Sequence, residues 1–443
     1  MTPGDDVLVL RPPTSVLEIA RTLRDSGHET WCVGGAVRDA LLGLEHLDWD
    51  LATAATPSQV QRLFRRTVPV GIEFGTVGVL DPSGTMHEVT TFRRDVETDG
   101  RHAVVEFGAS IDEDLARRDL TINAIAYDPL RHVLRDPFHG RADLNLRVVR
   151  AVGDPAHRMR EDRLRALRAM RFAARFDFAI DPATWQAIVD SAEHLGRLSP
   201  ERVKQELEKT MEQVRSPSAA FRRWRDSGAF GVLIPALAAI SERTLCAVDR
   251  LAVPDMVRRP QRRPLRIAAL FSDLTGKQTE QALRALRFSK LDIGWIAALV
   301  DRWHVLHDAL GTTLRTRPFT SAELRRLAAD VGRLRVTGFM RLAAAHWSVL
   351  PSHIGPSAPL VRSTYRRLLR TAFRDAIAIG DLAIDGDDLR VAGIPPGPEV
   401  GRVLGALLEC VIVDPSINTH VQLVELARHM VRKVVPEPGA HRA

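Results

Sequence analysis

The chain has 443 residues, of which 45% are hydrophobic and 26% charged, and its formal net charge is +7. The length predicts more than one domain, and the lack of a long apolar run or a basic-then-apolar N-terminus excludes a membrane-spanning protein and favours a cytoplasmic one. Arginine greatly outnumbers lysine among the 62 basic residues; Arg-rich codon usage explains part of that bias, but the positive charge favours an RNA partner.

The first elements along the chain predict a strand that leads into a glycine turn. Apolar periodicity predicts a helix over residues 16–26, and a strand over residues 29–33 is followed by a glycine pair and a helix that begins near Ala36. Glycines let backbone N–H groups approach an anion closely, and the start of the helix adds its positive end. Gly35 and Arg38 are therefore expected to hold a phosphate group.

Two carboxylates follow this helix in the segment HLDWDL. Asp48 and Asp50 stand two residues apart, a spacing that places both side chains on one face of a strand. Carboxylate oxygens are ligands that Mg²⁺ prefers. A phosphate-binding turn beside two metal-binding acids suits the transfer of a nucleotidyl group from a nucleoside triphosphate.

Further strands are predicted over residues 76–80, 86–92 and 103–107, where apolar and polar residues alternate. Glu88, in the second of them, is a candidate third carboxylate for the metal ions. From about residue 150 onward, helical periodicity replaces the strand patterns. The sequence thus predicts an α/β head with a mixed sheet, followed by all-α domains.

The segment DLARRDLTINAIA, residues 114–126, places two arginines and an aspartate before a run that can start a helix. Thr121 and Asn123 offer side-chain oxygens for capping that helix or for contacts with a ribose. An Arg-Arg-Asp group at a solvated helix start is common, so this segment indicates a nucleotide-binding function only in combination with the other motifs.

The segment EDRLRALRAMRFAARF, residues 161–176, is predicted to be one helix in which Asp162, Arg165, Arg168 and Arg171 recur every three residues. Successive members step around the helix by about 60°, so Asp162 and Arg165 are expected to be close neighbours. An aspartate accepts a hydrogen bond from an exocyclic amino group, and an arginine donates to a ring nitrogen or carbonyl oxygen. Because cytosine and adenine both carry such an amino group, this pair suits the reading of a base without a template. Alone, the spacing also suits an ion-paired surface helix.

In this order, the three motifs resemble those of the nucleotidyltransferase superfamily, in the branch that holds bacterial CCA-adding tRNA nucleotidyltransferases and poly(A) polymerases. Four further segments extend the resemblance nearly end to end: HEVTTFRRDVETDGRHAVVEFG, LSPERVKQELEKTM, ALRALRFSK and IDGDDLRVAGIPPGPEVGRVL. The resemblance implies a catalytic head over residues 1–150, a helical neck with the base-reading helix over residues 151–215, and a helical body and tail that bind tRNA over residues 216–443.

The resemblance also implies a two-metal reaction at this site. Its implied cofactor is Mg²⁺, its substrates are CTP and ATP, and its partner is the 3′ end of tRNA. Asp48 and Asp50 would be the catalytic, metal-binding acids, and Asp119 would help to order the ribose side. The residues implied to bind the nucleotide are Gly35, Arg38 and Arg118, with Asp162 and Arg165 as base readers and Arg168 and Arg171 as supports of the triphosphate or of the helix.

The implied function is template-independent addition of C and A to the tRNA 3′ end, with release of pyrophosphate. A poly(A) polymerase shares all three motifs, and some members of the family add only C residues or only the final A. The loop over residues 93–104 is full length, whereas members restricted to adding C are typically defective there, which favours an enzyme that adds A. Intact acidic and basic site residues disfavour a non-catalytic RNA-binding relative. The sequence leaves open whether the protein is a monomer or a homodimer.

One departure concerns a His-Asp phosphohydrolase unit that many bacterial members carry around the sequence LLHD. The corresponding place here reads AALFSDL, with Ser272 and Asp273. Serine is a poor substitute for an imidazole metal ligand, and the dipeptide His307-Asp308 lies downstream of the expected place. No working hydrolase site is therefore expected.

Overall fold

The structure, a computed structural model, describes residues 9–44, 48–98, 103–251 and 262–432. The chain divides into two compact units, Met1–Ala239 and Ile240–Ala443. Within the described ranges, none of the helices combines the length and the apolar character that a bilayer crossing requires.

A mixed sheet dominates the N-terminal part of the first unit. The strands of this sheet and of two smaller ones are β1 Thr30–Val33, β2 Asp50–Thr53, β3 Thr67–Gly71, β4 Thr76–Leu80, β5 Met86–Thr91, β6 Arg93–Thr98, β7 Ala103–Phe107, β8 Ala126–Asp128, β9 Val133–Arg135, β10 Val148–Val149 and β11 Ala179–Ile180. In the described residues the main sheet has seven strands in the order β3-β4-β5-β2-β1-β8-β9, in which β2 and β5 are parallel and the other neighbours are antiparallel. Two further pairs, β6 with β7 and β10 with β11, form small separate sheets.

The predicted strands lie where the alternation of residues placed them. Those over residues 76–80 and 103–107 have the predicted bounds, β1 begins one residue later than predicted, and β5 ends one residue earlier. The segment over residues 93–104, expected to be a loop, instead forms the strand β6 and the start of β7 in its described part. Residues 99–102 lie outside the described residues.

Helices pack around this sheet and continue beyond it. The apolar contact between sheet and helices includes Val33, Phe92, Leu115 and Ala126, all nearly inaccessible to solvent. The helices of the first unit are α1 Thr14–Asp25, α2 Gly35–Leu41, α3 Pro57–Leu63, α4 Ile111–Ala116, α5 Gly140–Leu146, α6 Pro155–Glu161, α7 Leu164–Phe176, α8 Pro182–Ser191, α9 Pro200–Gln213, α10 Ser218–Asp226 and α11 Ala229–Leu233.

The second unit is helical throughout its described residues. One of its cores is built from Leu389, Leu407, Val411 and Leu423. The prediction of an α/β head followed by helical domains is confirmed, with β11 as the exception in the helical part of the described chain. The helices are α12 Glu242–Arg250, α13 Arg262–Leu270, α14 Gly276–Ala285, α15 Lys290–Thr316, α16 Ser321–Val331, α17 Val336–Ser348, α18 Ala358–Arg374, α19 Gly386–Val391, α20 Pro398–Val413 and α21 His420–Arg432.

Ser272 and Asp273, the residues at the altered hydrolase position, follow α13 in this unit. The buried Ser272 hydroxyl donates a hydrogen bond to the Ala269 carbonyl at 2.7 Å, and an Asp273 carboxylate oxygen accepts one from Ser241 at 3.0 Å. Both side chains therefore have structural partners, and the lack of hydrolase activity stays a prediction.

A buried imidazole in α17 makes the stability of this unit depend on pH. His346 is 2% exposed, and neither ring nitrogen has a hydrogen-bond partner in the described residues. Its ring stacks on Trp303 with 4.8 Å between centroids. Burial lowers the pKa of His346 to about 4, with Asp273 opposing that shift and Arg243 and His307 adding to it. The ring is therefore neutral at pH 7.

Acidification should destabilise the protein through His346. The ring takes up a proton near pH 6.5 in the unfolded chain but only near pH 4 in the folded one, so stability is lost as the pH falls through this window. At pH 5 the loss amounts to about 2 kcal/mol. Urea unfolding at pH 7 and pH 5 measures it. Between pH 7 and pH 5, His346→Gln should lose less stability than the wild type. His353→Gln, at an exposed position, should lose as much stability as the wild type. Equal pH dependence in the His346 variant and the wild type would contradict this account.

Candidate active site

A cleft of about 580 Å³ in the first unit brings the three motifs together. Its lining residues include Gly35, Arg38, Asp48, Asp50, Arg118, Asp162, Arg165, Arg168 and Arg171, all predicted to bind metal or nucleotide, but not Glu88, the candidate third carboxylate. The structure thus brings residues of three separate segments into one cleft.

The glycine turn between β1 and α2 forms one end of this cleft. Gly34 has φ +76°, a left-handed conformation that glycine adopts without strain. A Cβ atom at this position would lie 3.1 Å from Nη1 of Arg118 and 3.9 Å from Oδ2 of Asp50. The left-handed backbone therefore favours glycine here, and a Cβ atom would also crowd the Arg118 guanidinium.

The two acids differ in position from the prediction. Asp50 is the first residue of β2, but Asp48 precedes the strand and is exposed, so the pair does not share one face of a strand. Because β2 and β5 are parallel with Leu51 opposite Val89, Glu88 lies beside Asp50. Burial, together with the carboxylates of Asp48 and Glu88, raises the pKa of Asp50 to about 7, and the charge of Arg118 opposes that shift.

This arrangement fits the Mg²⁺ ions that the sequence implied. Adjacent carboxylates that disfavour each other's charge gain from a bound cation. In the described residues, no group of three or more His, Cys, Asp or Glu side chains is close enough to hold a metal ion by itself. Mg²⁺ is usually bound by one or two carboxylates together with water and substrate phosphates.

Arg118 is a loosely held cation in the cleft. Its Nη1 donates to the Asn123 carbonyl and its Nη2 to Asp114, both at 3.3 Å, while its buried Nε has no partner among the described residues. Asp114 also accepts a shorter bond of 2.7 Å from Arg117. The guanidinium of Arg118 is therefore anchored weakly, between the glycine turn and Asp50, where an anionic group could replace these contacts.

Arg38, by contrast, is held on all sides. It is 3% exposed, and it donates from Nε to Asp39 at 2.7 Å and from Nη1 to the side-chain oxygen of Asn123 at 2.5 Å. The rings of Phe172 and Phe176 lie 4.9 and 4.8 Å from its guanidinium carbon, within the range of cation–π attraction. Arg38 therefore joins α2 to the second and third motifs.

The contacts of Asn123 and Asp39 continue this connection. Asn123 donates to Asp119 at 3.0 Å, Arg168 donates to Asp119 at 2.7 Å, and Arg175 donates to Asp39 at 3.1 Å. Burial alone would raise the pKa of Asp119, but the charge of Arg168 and the hydrogen bonds lower it to about 2. We call Arg38, Asp39, Asp119, Asn123, Arg168 and Arg175 the linking network.

The second motif does not start an α-helix as predicted. Thr121–Asn123 is a single 3₁₀ turn without a side-chain cap. The Thr121 hydroxyl donates to Asp143 at 2.6 Å, and the Asn123 side chain belongs to the linking network. Both polar side chains are used by distant partners, so neither caps a helix.

The third motif is also not one helix. Asp162 has an extended backbone between α6 and α7, while Arg165 lies in the first turn of α7. Asp162 accepts from Arg202 at 2.7 Å, and Arg165 donates to Glu161 at 2.6 Å and to the Arg117 carbonyl at 2.9 Å. Asp162 therefore lines the cleft from the break between α6 and α7, and Arg165 lines it from the first turn of α7. The two predicted base readers do not share one regular helical face.

Arg171 supports the packing of α7 against α9. Its Nε donates to Glu206 at 2.7 Å and its Nη1 to Gln213 at 3.1 Å. Arg171 is 3% exposed and Glu206 is 1% exposed, so this is a buried ion pair. Of the two roles implied for Arg171, these contacts correspond to support of the helix.

Sequence reasoning missed the partners that hold the site. The segment LSPERVKQELEKTM was noticed only as a resemblance, yet its Arg202 and Glu206 contact the third motif. Glu161 could have been found, because it lies four residues before Arg165 on the predicted helix. The residues of the cleft wall to which sequence reasoning gave no role are Arg117, Phe172, Arg175, Lys209 and Gln213.

Two segments of the chain match known protein families. Residues 30–150 match the family described as "Poly A polymerase head domain", and residues 177–241 match "Probable RNA and SrmB- binding site of polymerase A". Among curated proteins, the CCA-adding enzyme of Geobacillus kaustophilus is 35% identical over 415 residues, covering 92% of this chain and 95% of that protein. The CCA-adding enzyme of Lacticaseibacillus paracasei is 32% identical, with coverage of 94% and 96%.

Solved structures show the same architecture. The Bacillus stearothermophilus CCA-adding enzyme in complex with CTP is similar with a TM-score of 0.73 and 31% identity, covering 95% of this chain and 98% of that one. The Thermotoga maritima CCA-adding enzyme complexed with tRNA is similar in fold, with a TM-score of 0.65 and 22% identity over 96% and 98% of the two chains.

Removing one partner of the buried Arg171–Glu206 pair should destabilise the protein. Glu206→Ala leaves a buried guanidinium without its carboxylate, which typically costs about 3–5 kcal/mol. Urea unfolding measures the loss. Glu201→Ala, at an exposed position of the same helix, should cost less than about 1 kcal/mol. The double variant Arg171→Met with Glu206→Met should recover most of the loss, and equal stability of Glu206→Ala and Glu201→Ala would contradict this role.

Proposed function

This chain belongs to the CCA-adding enzyme family of tRNA nucleotidyltransferases, and we propose that it adds C and A nucleotides to the 3′ end of tRNA. CTP and ATP are its substrates and pyrophosphate leaves. The family membership covers nearly the whole chain and its relatives nearly end to end. The observation that carries the proposal is the single cleft that joins an acidic pair, a glycine turn and the Asp162–Arg165 pair.

The acidic end of the cleft is proposed to hold the metal ions. Asp48 and Asp50 would bind two Mg²⁺, with Glu88 near enough to Asp50 to act on its charge. The ions, when bound, would favour deprotonation of the RNA 3′-hydroxyl and neutralise charge on the departing pyrophosphate. Asp50 would be ionised by that binding, because a cation counters the effect of burial and of the neighbouring carboxylates.

The triphosphate is proposed to lie between the glycine turn and Arg118. Backbone N–H groups of Gly35 and its neighbours would approach the phosphate oxygens, and Arg118 would exchange its two 3.3 Å bonds for stronger charge-assisted ones. Arg38 and Arg168 are proposed to act as positioning residues, since the linking network already uses their donors. Asp119 would act in the same way on the ribose side, through Arg168 and Asn123.

Base selection is proposed to rest on Asp162 and Arg165. Arg202 fixes the orientation of the Asp162 carboxylate, and Glu161 fixes that of the Arg165 guanidinium. Fixed donors and acceptors can select a base by its edge, because a mismatched base leaves them unpaired.

The division into head over residues 1–150, neck over 151–215, and body and tail over 216–443 stays part of this proposal.

Product length tests the function directly. Purified protein with Mg²⁺ is given tRNA that lacks its 3′ CCA, together with CTP, ATP or both, and the products are sized. Extension that stops after three nucleotides with both substrates is expected. Long A tails, or products that end after C residues or gain only A, would contradict full CCA addition.

Asp48→Asn and Asp50→Asn should each abolish nucleotide incorporation, because an amide neither carries the charge nor offers the ligand set of a carboxylate. We expect losses of at least about 10³-fold, in keeping with the removal of a major electrostatic contribution at a reacting phosphate. Binding of tRNA, measured by filter retention, should be nearly unchanged. Asp190→Asn, at an exposed position outside the cleft, should keep wild-type activity. Near-normal turnover of either acid variant would refute the metal assignment.

Asp162→Ala should blur the choice of nucleotide. Losing one base contact costs about 1–3 kcal/mol of discrimination, so the preference for CTP and ATP over UTP should fall about 10-fold to 100-fold. Competition of the four nucleotides in single additions measures this preference. Glu193→Ala, exposed and outside the cleft, should select like the wild type. Unchanged discrimination by Asp162→Ala would place base selection elsewhere.

A further inference from the structure

The second unit contains a small cavity lined by aromatic and basic side chains. Its volume is about 140 Å³, well below the ~300–1,000 Å³ of pockets that hold drug-sized ligands. The wall includes Arg243 of α12, Trp303 and Arg315 of α15, and His346 and Trp347 of α17. Three helices thus contribute polar groups to a space that suits a small ligand.

Two buried rings of this wall have polar atoms without partners. His346 is 2% exposed, and neither ring nitrogen has a hydrogen-bond partner in the part of the chain that the structure describes. The indole N–H of Trp347, a residue 6% exposed, has none there either. Buried polar groups are normally paired. Because both rings line the cavity, a molecule held in it can supply the partners.

The imidazole is held in place by its face. Trp303 stacks on the His346 ring with 4.8 Å between centroids and 22° between the planes. The stacked face is covered by the indole, so hydrogen bonding is left to the edge of the imidazole, where its two nitrogens lie. The ring is therefore oriented for a polar partner at its edge.

Two arginines bring charge to the wall without an acidic partner among the described residues. Arg315 donates from Nη1 to the Ile354 carbonyl and from Nη2 to the Thr312 hydroxyl, both at 3.2 Å, and both acceptors are uncharged. Arg243 forms no hydrogen bond or ion pair with a described residue. Both guanidinium groups therefore keep donors and positive charge for an anion.

The acids around the cavity have partners of their own. Asp308 pairs with His307 at 3.2 Å, and its side chain is 94% exposed to solvent. Asp273, whose charge opposes the lowering of the His346 pKa, accepts a hydrogen bond from the Ser241 hydroxyl at 3.0 Å. Neither acid forms an ion pair with the two arginines, so the cavity favours a negative ligand.

We infer that this cavity binds a small phosphate-class anion, either inorganic phosphate or pyrophosphate. Guanidinium groups bind phosphate oxygens through charge-assisted hydrogen bonds, and an indole N–H can only donate. The ligand would pair with Arg243, Arg315 and the indole N–H of Trp347. The site lies wholly in the second unit and does not depend on the function proposed for the cleft.

The imidazole makes phosphate a better ligand than sulfate. Burial lowers the pKa of His346 to about 4, so the ring is neutral at pH 7. One nitrogen of a neutral imidazole donates a hydrogen bond and the other accepts one. Phosphate carries an O–H group near neutral pH and can donate to the accepting nitrogen, whereas sulfate has no proton to donate. Sulfate would leave that buried acceptor unpaired.

Titration calorimetry of the full-length protein in EDTA tests the site. Phosphate, pyrophosphate and sulfate are titrated separately at pH 7. The wild type should bind phosphate or pyrophosphate at one site with Kd below about 1 mM. Because charge-assisted contacts are lost, the double variant Arg243→Gln, Arg315→Gln should bind at least about tenfold more weakly. Absence of saturable binding to the wild type would overturn the proposal.

Two control variants separate this cavity from general charge and from the cleft. Arg250→Gln, Arg302→Gln removes one exposed arginine from each of the same two helices, outside the cavity, and should bind like the wild type. Arg118→Gln alters the cleft and should also keep the binding. Equal weakening in the two double variants, or loss of binding in Arg118→Gln, would overturn the proposal.

The aromatic residues localise the anion. His346→Phe keeps a ring against Trp303 but removes both nitrogens. The wild type should prefer phosphate over sulfate at least about tenfold, and this variant should lose most of that preference. In ¹H–¹⁵N spectra, the indole signal of Trp347, assigned by its loss in Trp347→Phe, should shift when phosphate is added. An unmoved indole signal, or an unchanged preference in His346→Phe, would contradict binding in this cavity.

Discussion

The linking network is the interaction on which the site depends. It joins Arg38 and Asp39 of the first motif to Asp119 and Asn123 of the second, and these to Arg168 and Arg175 of the third. Buried charges are tolerated only when they are paired and hydrogen-bonded, and breaking one pair leaves the other charge uncompensated. The network therefore holds three distant segments in one arrangement, and the walls of the cleft are fixed before any substrate arrives.

The arginines of the cleft differ in how many of their hydrogen-bond donors are already used. Arg38, Arg168 and Arg171 donate to buried carboxylates or amides, whereas Arg118 has two weak bonds and an Nε that lacks a partner among the described residues. An arginine that is already satisfied gives rigidity, and one without partners gives a binding site for an anion.

The acidic end of the cleft concentrates negative charge that bound cations would balance. Asp50 has a pKa of about 7 because it is buried beside two other carboxylates, with Arg118 opposing them. Under the proposed function, Mg²⁺ ions at these carboxylates would also bind the phosphates of the substrate, so metal binding and nucleotide binding would depend on each other.

The sequence by itself determined the strands β1, β4, β5 and β7, the change to helices from about residue 150 onward, and the three motifs that supply most of the cleft wall, because periodicity and short spacings record local geometry. Only the tertiary structure decided the break in the chain at Asp162, the position of Asp48 before the strand, and the roles of the individual arginines. Arg202 and Glu206 contact residues 40 and 35 positions away, and Arg175 contacts Asp39 across 136 positions. No local pattern encodes such pairings. They arise because buried guanidinium and carboxylate groups must find partners once the elements pack together.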